Sequence, residues 1–497
     1  MRKIPVIMAT QHPDSAKKYI PVQKEVDEAL ESFSEGREEG LNFDEYKVDY
    51  EGKLTPYHQL AQIVTKLVSH GLNPGKTDFV TPRMPNVHEE TLFRQVMVMM
   101  AAIEANYLVQ DQLDHPAIVE LIHPLTREAI DLIEAHERLR RLINMARRDL
   151  GVKLNPEDMQ LIPLFEDTST LTRVDEIIEK YLKKFPKLEY LRVFLGRSDP
   201  AMISGLIAAV LSVKLAISKL YKISNSIGLP IYPILGVGSL PFRGHLRPDN
   251  VDNVVREYSG FRTVTIQSAL RYDYHRSDVK GIIRYLKNEV PKAEPLAFSK
   301  SEESQILQIV KIAEKAYRSK IIKVFGTISR ISEFIPTQRD RLPPTEEIRY
   351  GRRVDGLKIT LPRVIKMTAA FYSIGLPPEF IGVGEALKQM NPEQRRRLSE
   401  IYPSINIDLL YASRFLNLKV AKRFLEVSFV KSIEEEIRLA EKYLGLELLR
   451  NTDDEYLSLL LIAMEYLLAL MKNPSTRLKG EAKRILCRLG VMRGALG

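Results

Sequence analysis

Short apolar runs alternate with amphipathic helical stretches along the first two thirds of this chain of 497 residues. Apolar runs rich in Leu, Val, Ile and Phe are typical of strands that are buried on both faces, as in parallel sheets. Eight strands are predicted: Ile4 to Ala9, Tyr46 to Asp49, Phe79 to Thr81, Leu161 to Phe165, Leu191 to Leu195, Ile231 to Leu235, Thr263 to Ile266 and Phe334 to Thr337. Eight parallel strands with helices between them predict an α/β fold, a TIM-type (β/α)8 barrel.

The spacing of these runs divides the chain into two parts. Residues 1–342 are predicted to form the barrel, with a helical insertion around 84–160, because that connection is too long for one helix. Residues 343–497 show apolar positions at helical spacing, which predicts a mostly helical C-terminal region. No low-complexity tract or Gly/Ser linker separates the two parts, so we expect the helical region to pack on the barrel.

The composition indicates an ordered globular protein, with 44% hydrophobic and 28% charged residues. No stretch of about 18 uncharged apolar residues occurs, and the N-terminal apolar segment is too short for a signal peptide. We therefore expect a cytoplasmic protein with no membrane partner. The single cysteine, Cys487, excludes an internal disulfide and a site of several thiolates, so a metal would need oxygen or histidine ligands.

The formal net charge of +9 raises the question of a nucleic-acid partner. The Lys and Arg residues are scattered among Glu and Asp, which is typical of a solvated surface. Stacking aromatic residues interleaved with a basic face are not found, so no nucleic-acid partner is expected. A binder of this kind stays an alternative that a steep salt dependence of polynucleotide binding would revive. The positive charge also suits a pocket for anionic substrates.

Polar side chains follow most of the predicted strands. They are His12, Arg83, Glu166, Asp199, Arg243, Gln267 and Arg339. The carboxyl ends of the strands carry the active site in TIM-barrel enzymes, so we expect these side chains to meet at one face. The carboxylates of Glu166 and Asp199 are suitable ligands for a hard cation such as Mg²⁺.

The other side chains indicate the chemistry. Several guanidiniums around a metal imply a small, multiply anionic substrate, for which a phosphorylated carboxylic acid fits best. The imidazole of His12 is suited to moving a proton there. Taken alone, each residue also has a plain structural interpretation: a turn residue for His12, a surface charge for Arg243, and a group that satisfies the backbone for Gln267.

The same residues lie in motifs that together resemble the phosphoenolpyruvate carboxylase family, in its short archaeal type. The motifs are MATQHPD with His12, PLFED with Glu166, FLGRSDPA with Asp199, GSLPFRGH with Arg243, TVTIQSALRYD with Gln267, IPTQRDR with Arg339 and LPRVIKMTAAFYSIGLPPEFIGVG with Arg363. The resemblance covers essentially the whole chain, to the terminal VMRGALG. Each motif is weak alone, whereas their order and spacing are specific.

The resemblance implies that phosphoenolpyruvate and bicarbonate react to give oxaloacetate and phosphate, through carboxyphosphate and the enolate of pyruvate. It implies that Glu166 and Asp199 hold Mg²⁺ or Mn²⁺ and that His12 removes the carboxyphosphate proton. It further implies that Arg243 and Arg339 stabilise the transferring phosphoryl group. Substrate-binding roles are implied for Arg83, Arg363 and Gln267.

The resemblance also implies a homotetramer. One alternative stays open, namely another metal-dependent barrel enzyme, a lyase or phosphotransferase, that acts on phosphoenolpyruvate or pyruvate. Such an enzyme would turn over without bicarbonate, so dependence on bicarbonate separates the two.

Overall fold

A closed barrel of eight parallel strands forms the centre of the protein, seen in a computed structural model that describes residues 3–33, 40–340, 352–353, 360–449 and 453–497. Each strand pairs with the next in the chain, and the last pairs with the first. The strands are β1 (Ile7–Thr10), β2 (Glu45–Asp49), β3 (Phe79–Arg83), β4 (Glu120–His123), β5 (Gln160–Phe165), β6 (Leu191–Gly196), β7 (Ile231–Gly236) and β8 (Thr263–Ile266). The predicted TIM-type barrel is confirmed.

One strand was predicted at the wrong place. The segment Phe334–Thr337 forms no strand, and the missing barrel strand is β4, inside the stretch 84–160 that was predicted to be an insertion. This stretch holds two barrel helices that flank β4, which corrects the predicted insertion. The apolar run at β4 is broken by Glu120, whose carboxylate points into the barrel and pairs with Arg192. This buried ion pair puts a charged residue in the strand, so the apolar pattern did not predict it.

Helices surround the barrel and build the rest of the chain. Those up to residue 289 are α1 (Glu25–Phe33), α2 (Gln59–Ser69), α3 (Leu92–Val109), α4 (Ala129–Leu150), α5 (Thr168–Leu171), α6 (Val174–Lys184), α7 (Ser198–Ser204), α8 (Leu206–Ile227), α9 (Val251–Glu257), α10 (Ser268–Tyr272) and α11 (Arg276–Glu289). The later helices are α12 (Lys300–Ser332), α13 (Val364–Ser373), α14 (Val383–Gln389), α15 (Pro392–Ile401), α16 (Ile405–Ser413), α17 (Leu418–Ala421), α18 (Val427–Leu444), α19 (Asp454–Lys472) and α20 (Thr476–Arg493).

Helices dominate the described part of the C-terminal region, where two short strands, β9 (Arg352–Arg353) and β10 (Thr360–Leu361), pair antiparallel. It packs on the barrel: the Lys214 ammonium on α8 donates to the carbonyl of Ile401. Near the chain end, the backbone N–H of Leu496 donates to the carbonyl of Asp14 at 2.8 Å. The predicted boundary between residues 342 and 343 lies outside the described residues.

Contacts across the barrel show which side chains point inward. Arg192 on β6 pairs with Glu45 on β2 at 2.6 Å and with Glu120 on β4 at 2.9 Å. These strands are not neighbours, so the contacts run through the interior, and Arg192 is fully buried. Because side chains alternate along a strand, Lys47 and Asp49 of β2 point inward as well, nearer the carboxyl end. An apolar layer fills the interior alongside them and contains Met8, Ile122, Ile162, Leu164, Phe194 and Ile234.

Candidate active site

Six of the predicted site residues lie at the carboxyl ends of the barrel strands. His12 follows β1, Arg83 ends β3, and Glu166 directly follows β5. Asp199 lies three residues beyond β6, Arg243 ends the 3-10 turn Pro241–Arg243 after β7, and Gln267 directly follows β8. All strands of the barrel are parallel, so these residues share one face of it. Arg339 and Arg363 come from outside the strands.

Glu166 and Asp199 follow neighbouring strands. Phe165 of β5 pairs with Leu195 of β6, so Glu166 lies next to Gly196. A Cβ atom on Gly196 would lie 3.3 Å from the Glu166 Cγ atom, so the glycine makes room for this side chain. Asp199 is in the first turn of α7 and acts electrostatically on Arg243. The two carboxylates therefore come from adjacent strand ends, as the sequence predicted.

This pair of carboxylates suits a Mg²⁺ or Mn²⁺ site in which the protein supplies only some of the ligands. Among the described residues no group of three or more His, Cys, Asp or Glu side chains forms a metal site. Mg²⁺ in phosphate-handling enzymes is bound by one or two carboxylates, and water and substrate oxygens complete its coordination. One oxygen of Glu166 accepts from the Leu125 N–H at 3.3 Å, which orients the carboxylate. The donor chemistry of the two side chains thus fits the ion.

Arg83 ties the ends of β2, β3 and β5 together. Its guanidinium donates two hydrogen bonds to Asp49, both at 2.8 Å. It also lies 2.6 Å from a Glu51 oxygen and 3.8 Å from Glu166 Oε1. Guanidinium and carboxylate planes matched in this way give strong and directional contacts. In this structure Arg83 is held by carboxylates of the chain, and of these contacts the one with Glu166 is the longest.

Arg243 is fully buried beneath the loop that follows β7. Its guanidinium lies 3.3 Å from Asp14 and donates to the Gln267 side-chain oxygen and to the backbone carbonyl of Gly497. Burial lowers the pKa of Arg243, and Asp14 counters this shift. Predicted residues Arg243 and Gln267 are therefore in direct contact. Asp14 was not predicted, although it lies two residues beyond His12 in the TQHPD motif.

His12 is a partly buried imidazole at the end of β1. Its Nδ1 atom lies 2.7 Å from Thr10 Oγ1. Burial lowers the pKa of His12 well below its usual range, and the nearby cations Lys47, Arg83 and Arg243 lower it further. The ring is therefore neutral at pH 7 and able to accept a proton.

Lys47 is the second residue near the site that the sequence analysis missed. It lies among Arg83, Asp49, Glu166 and Glu51, all of which act on it electrostatically. Burial lowers its pKa to about 8. The signal was present in EYKVD, where charged residues alternate with apolar or aromatic ones. Such alternation in a barrel strand puts the charges on one face, here the interior.

Arg339 lies in a buried cluster with two carboxylates. Its guanidinium is 1% exposed, and its five N–H groups are directed to Glu25, Glu28 and the Ser268 hydroxyl, at 2.5–3.3 Å. The two buried carboxylates raise the pKa of Arg339 against the effect of burial. This ion cluster joins α1 to the start of α10. The contact of Arg339 with a phosphoryl group stays a prediction.

Arg363 precedes α13 and reaches the loop that follows β2. Its guanidinium donates to the Gly52 carbonyl at 2.6 Å. The side chain is partly buried, and this contact places it beside the segment that carries Glu51. The C-terminal region thereby contributes a cation to the rim of the barrel face.

Comparisons of the sequence with known proteins give matches over nearly the whole chain. The family model described as phosphoenolpyruvate carboxylase matches residues 4–497. The phosphoenolpyruvate carboxylase of Methanosarcina acetivorans is 36% identical, covering 99% of this chain and 99% of that protein. That of Methanopyrus kandleri is 34% identical over 99% and 98% of the two chains. That of Pyrobaculum islandicum is 34% identical over 92% and 95%.

A solved citrate lyase from Burkholderia xenovorans covers 63% of this chain and 83% of its own, at 16% identity and a TM-score of 0.36. A TM-score this low supports no conclusion. The family assignment therefore depends on the sequence matches. The match spans the strand ends that carry Glu166, Asp199 and Arg243 as well as the helical C-terminal region. The chain belongs to the phosphoenolpyruvate carboxylase family.

Proposed function

We propose that this chain carboxylates phosphoenolpyruvate with bicarbonate to give oxaloacetate and phosphate. The observation that supports the proposal is that Glu166 and Asp199 follow adjacent strands at the barrel face where cations and a neutral imidazole also lie. Both substrates are anions, so they repel one another in solution. A pocket that combines a divalent ion with several cationic side chains overcomes this repulsion.

The first chemical step is the attack of a bicarbonate oxygen on phosphorus. The phosphorus–oxygen bond to the enol breaks, which gives carboxyphosphate and the enolate of pyruvate. We expect Arg243 to stabilise the charge on the transferring phosphoryl group, and its burial and its contacts with Asp14 and Gln267 support this role. Its low exposure strengthens the interaction, since water does not screen it.

The second step needs a base. His12, neutral at pH 7, takes the proton of carboxyphosphate, which then splits into carbon dioxide and phosphate. The enolate carbon attacks carbon dioxide, and oxaloacetate forms. A closed pocket favours this outcome, because water would otherwise protonate the enolate and release pyruvate.

Glu166 and Asp199 would hold the Mg²⁺ or Mn²⁺ ion. When bound, the ion would supply positive charge that offsets the repulsion between the two anionic substrates. The contribution of the chain is to orient these two ligands. The Leu125 N–H fixes Glu166, and the first turn of α7 presents Asp199.

A direct assay tests the proposal. Purified protein is incubated with phosphoenolpyruvate, bicarbonate and Mg²⁺ or Mn²⁺, and oxaloacetate is measured through its reduction to malate. We expect product only when all three are present. Turnover without bicarbonate would instead indicate a lyase or phosphotransferase that acts on the same substrate.

We also propose that the enzyme works in the cytoplasm as a homotetramer. The support is an apolar stripe on α3, where Phe93 is 83% exposed and Met97 and Tyr107 lie on the same side of the helix. By length and composition α3 is the one described helix apolar enough to cross a membrane, yet half of it is buried within the chain. A second copy of the chain is the occupant that this stripe suits.

Analytical ultracentrifugation tests the assembly. We expect the wild-type protein to sediment as a tetramer and Phe93→Ser to shift it toward smaller species. Val427→Ser is the matched control, since Val427 is 57% exposed on another helix. A monomeric wild-type protein would overturn the proposal.

A further inference from the structure

Lys47 is a buried lysine that faces the inside of the barrel. It lies on β2 between Glu45 and Asp49. Glu45 contacts Arg192, and Asp49 contacts Arg83. The contact of Glu45 with β6 crosses the barrel, so Lys47, two residues further along, points inward near the carboxyl end. Its neighbour on β1 is Thr10, the residue that contacts the His12 ring. Lys47 and His12 therefore lie on the same wall of the site.

The ammonium of Lys47 forms no direct ion pair in the part of the chain that the structure describes, although Asp49, Glu166 and Glu51 act on it electrostatically. Lys47 is 1% exposed, and no carboxylate oxygen of a described residue lies within ion-pair distance of its Nζ atom. Two other buried lysines behave differently, because Lys53 pairs with Glu25 and Lys214 pairs with Glu257. A buried charge without a partner is costly, and proteins retain it mainly where a ligand supplies the opposite charge.

The anions around Lys47 are oriented by other groups. Asp49 and Glu51 contact the Arg83 guanidinium, and Glu166 accepts from the Leu125 N–H. Burial, followed by the charge of Arg83, lowers the pKa of Lys47 to about 8, so the ammonium form still dominates at pH 7. An anion that enters the site therefore meets a desolvated ammonium.

We propose that Lys47 binds the carboxyl group that bicarbonate delivers, first as bicarbonate and then as part of carboxyphosphate. The inference rests on the proposed carboxylase function and adds the residue that holds its second substrate. Phosphoenolpyruvate is assigned to the side of the barrel with Glu166, Asp199 and Arg243, which follow β5, β6 and β7. Lys47 on β2 faces that side from across the barrel, next to the base that takes the proton from the same carboxyl group.

Steady-state kinetics of Lys47→Met test this role, because methionine keeps most of the length of the side chain and removes the charge. We expect the KM for bicarbonate to rise at least tenfold, while the KM for phosphoenolpyruvate changes less than threefold. The control is Lys214→Met, a buried lysine on the outer helix α8, which should leave both KM values unchanged. An unchanged KM for bicarbonate, or an equal rise in both values, would overturn the assignment.

A measurement on the wild-type protein covers the case in which Lys47→Met does not fold. Reductive methylation followed by mass spectrometry gives the labelling rate of Lys47 in the native enzyme. We expect saturating bicarbonate to slow this rate at least fivefold relative to chloride at equal ionic strength and pH, with Lys214 unaffected. A labelling rate that bicarbonate does not change contradicts the proposal.

The two proposals fail in different ways. A wild-type enzyme that makes no oxaloacetate from phosphoenolpyruvate and bicarbonate refutes the carboxylase function. A wild-type enzyme that makes oxaloacetate, together with a Lys47→Met variant of normal bicarbonate KM, refutes only the role of Lys47.

Discussion

Gly238 lies against the guanidinium of Arg243, so closely that a Cβ atom on Gly238 would be 2.9 Å from Arg243 Cζ. The backbone of the two residues is also linked, because the Gly238 N–H donates to the Arg243 carbonyl at 2.8 Å. The absence of a side chain at position 238 thus sets the position of the buried cation.

Gly238→Ala should displace the Arg243 guanidinium from Asp14 and Gln267 without unfolding the loop, because the end of a side chain moves more easily than backbone. A misplacement of about 1 Å can cost on the order of 100-fold in rate, so we expect kcat/KM for phosphoenolpyruvate to fall by about 10- to 100-fold. Gly326→Ala on α12 is the control, since a Cβ atom there meets open space. Equal kinetics for both variants would contradict the role of Gly238.

His12→Asn should separate the two steps of the reaction. Asparagine can still contact Thr10, but it cannot take up a proton at pH 7. We expect phosphate release to survive in part while oxaloacetate formation falls by at least 100-fold, measured in parallel assays of the same samples. Equal loss of both products would remove His12 from the second step.

Asp199→Asn should weaken the binding of the divalent ion, because the amide keeps the shape of the carboxylate and loses its charge. Titration calorimetry with Mn²⁺ should show at least a tenfold weaker affinity than for the wild-type enzyme. Asp252→Asn, an exposed residue of α9 that pairs with Arg256, is the control. An unchanged titration excludes Asp199 as a ligand.

Arg339→Met should destabilise the fold by about 3–5 kcal/mol, because it leaves Glu28 buried without its main counterion. Urea unfolding measures the change, and Arg438→Met, in an exposed pair with Glu435, should cost less than about 1 kcal/mol. A variant of normal stability that lost its activity would instead point to direct substrate binding by Arg339.

Acid should destabilise the protein through two buried histidines. Burial lowers the pKa of His123 and of His136 to about 4, whereas in the unfolded chain each stays near 6.5. Between these values the unfolded chain binds more protons than the folded one, so the free energy of unfolding decreases as the pH falls from 6.5 to 4. Each histidine contributes on the order of 1–3 kcal/mol, and His136→Asn should reduce the slope. Urea unfolding at pH 7, 5.5 and 4.5 checks this, and an unchanged slope contradicts it.

The sequence allowed the barrel and the Glu166–Asp199 pair to be predicted, because both depend on local signals. Apolar runs mark the strands, and the spacing between β5 and β6 suits one βαβ unit, so the residues that follow them are neighbours. Strand β4 was not predicted because Glu120 interrupts its apolar run. Arg192, which pairs with this buried carboxylate, is 72 residues away.

The same limit applies to the residues of the site. Arg339 follows a motif near the barrel, but its partner Glu28 lies 311 residues earlier in the chain. No local pattern shows which of several buried cations is paired within the protein and which is left for a substrate. Lys47 is a buried cation that we assign to a substrate. Its burial depends on the closure of the barrel, which the sequence could only suggest.

The layer of Arg192, Glu45 and Glu120 affects how reactants enter the barrel and how products leave it. These buried side chains pair with one another at the amino end of the barrel, and the interior of such a barrel is a packed core and not a pore. Reactants must enter, and products must leave, by the opposite mouth. In the proposed reaction, the escape of carbon dioxide therefore depends on how the mouth at the carboxyl ends of the strands is covered.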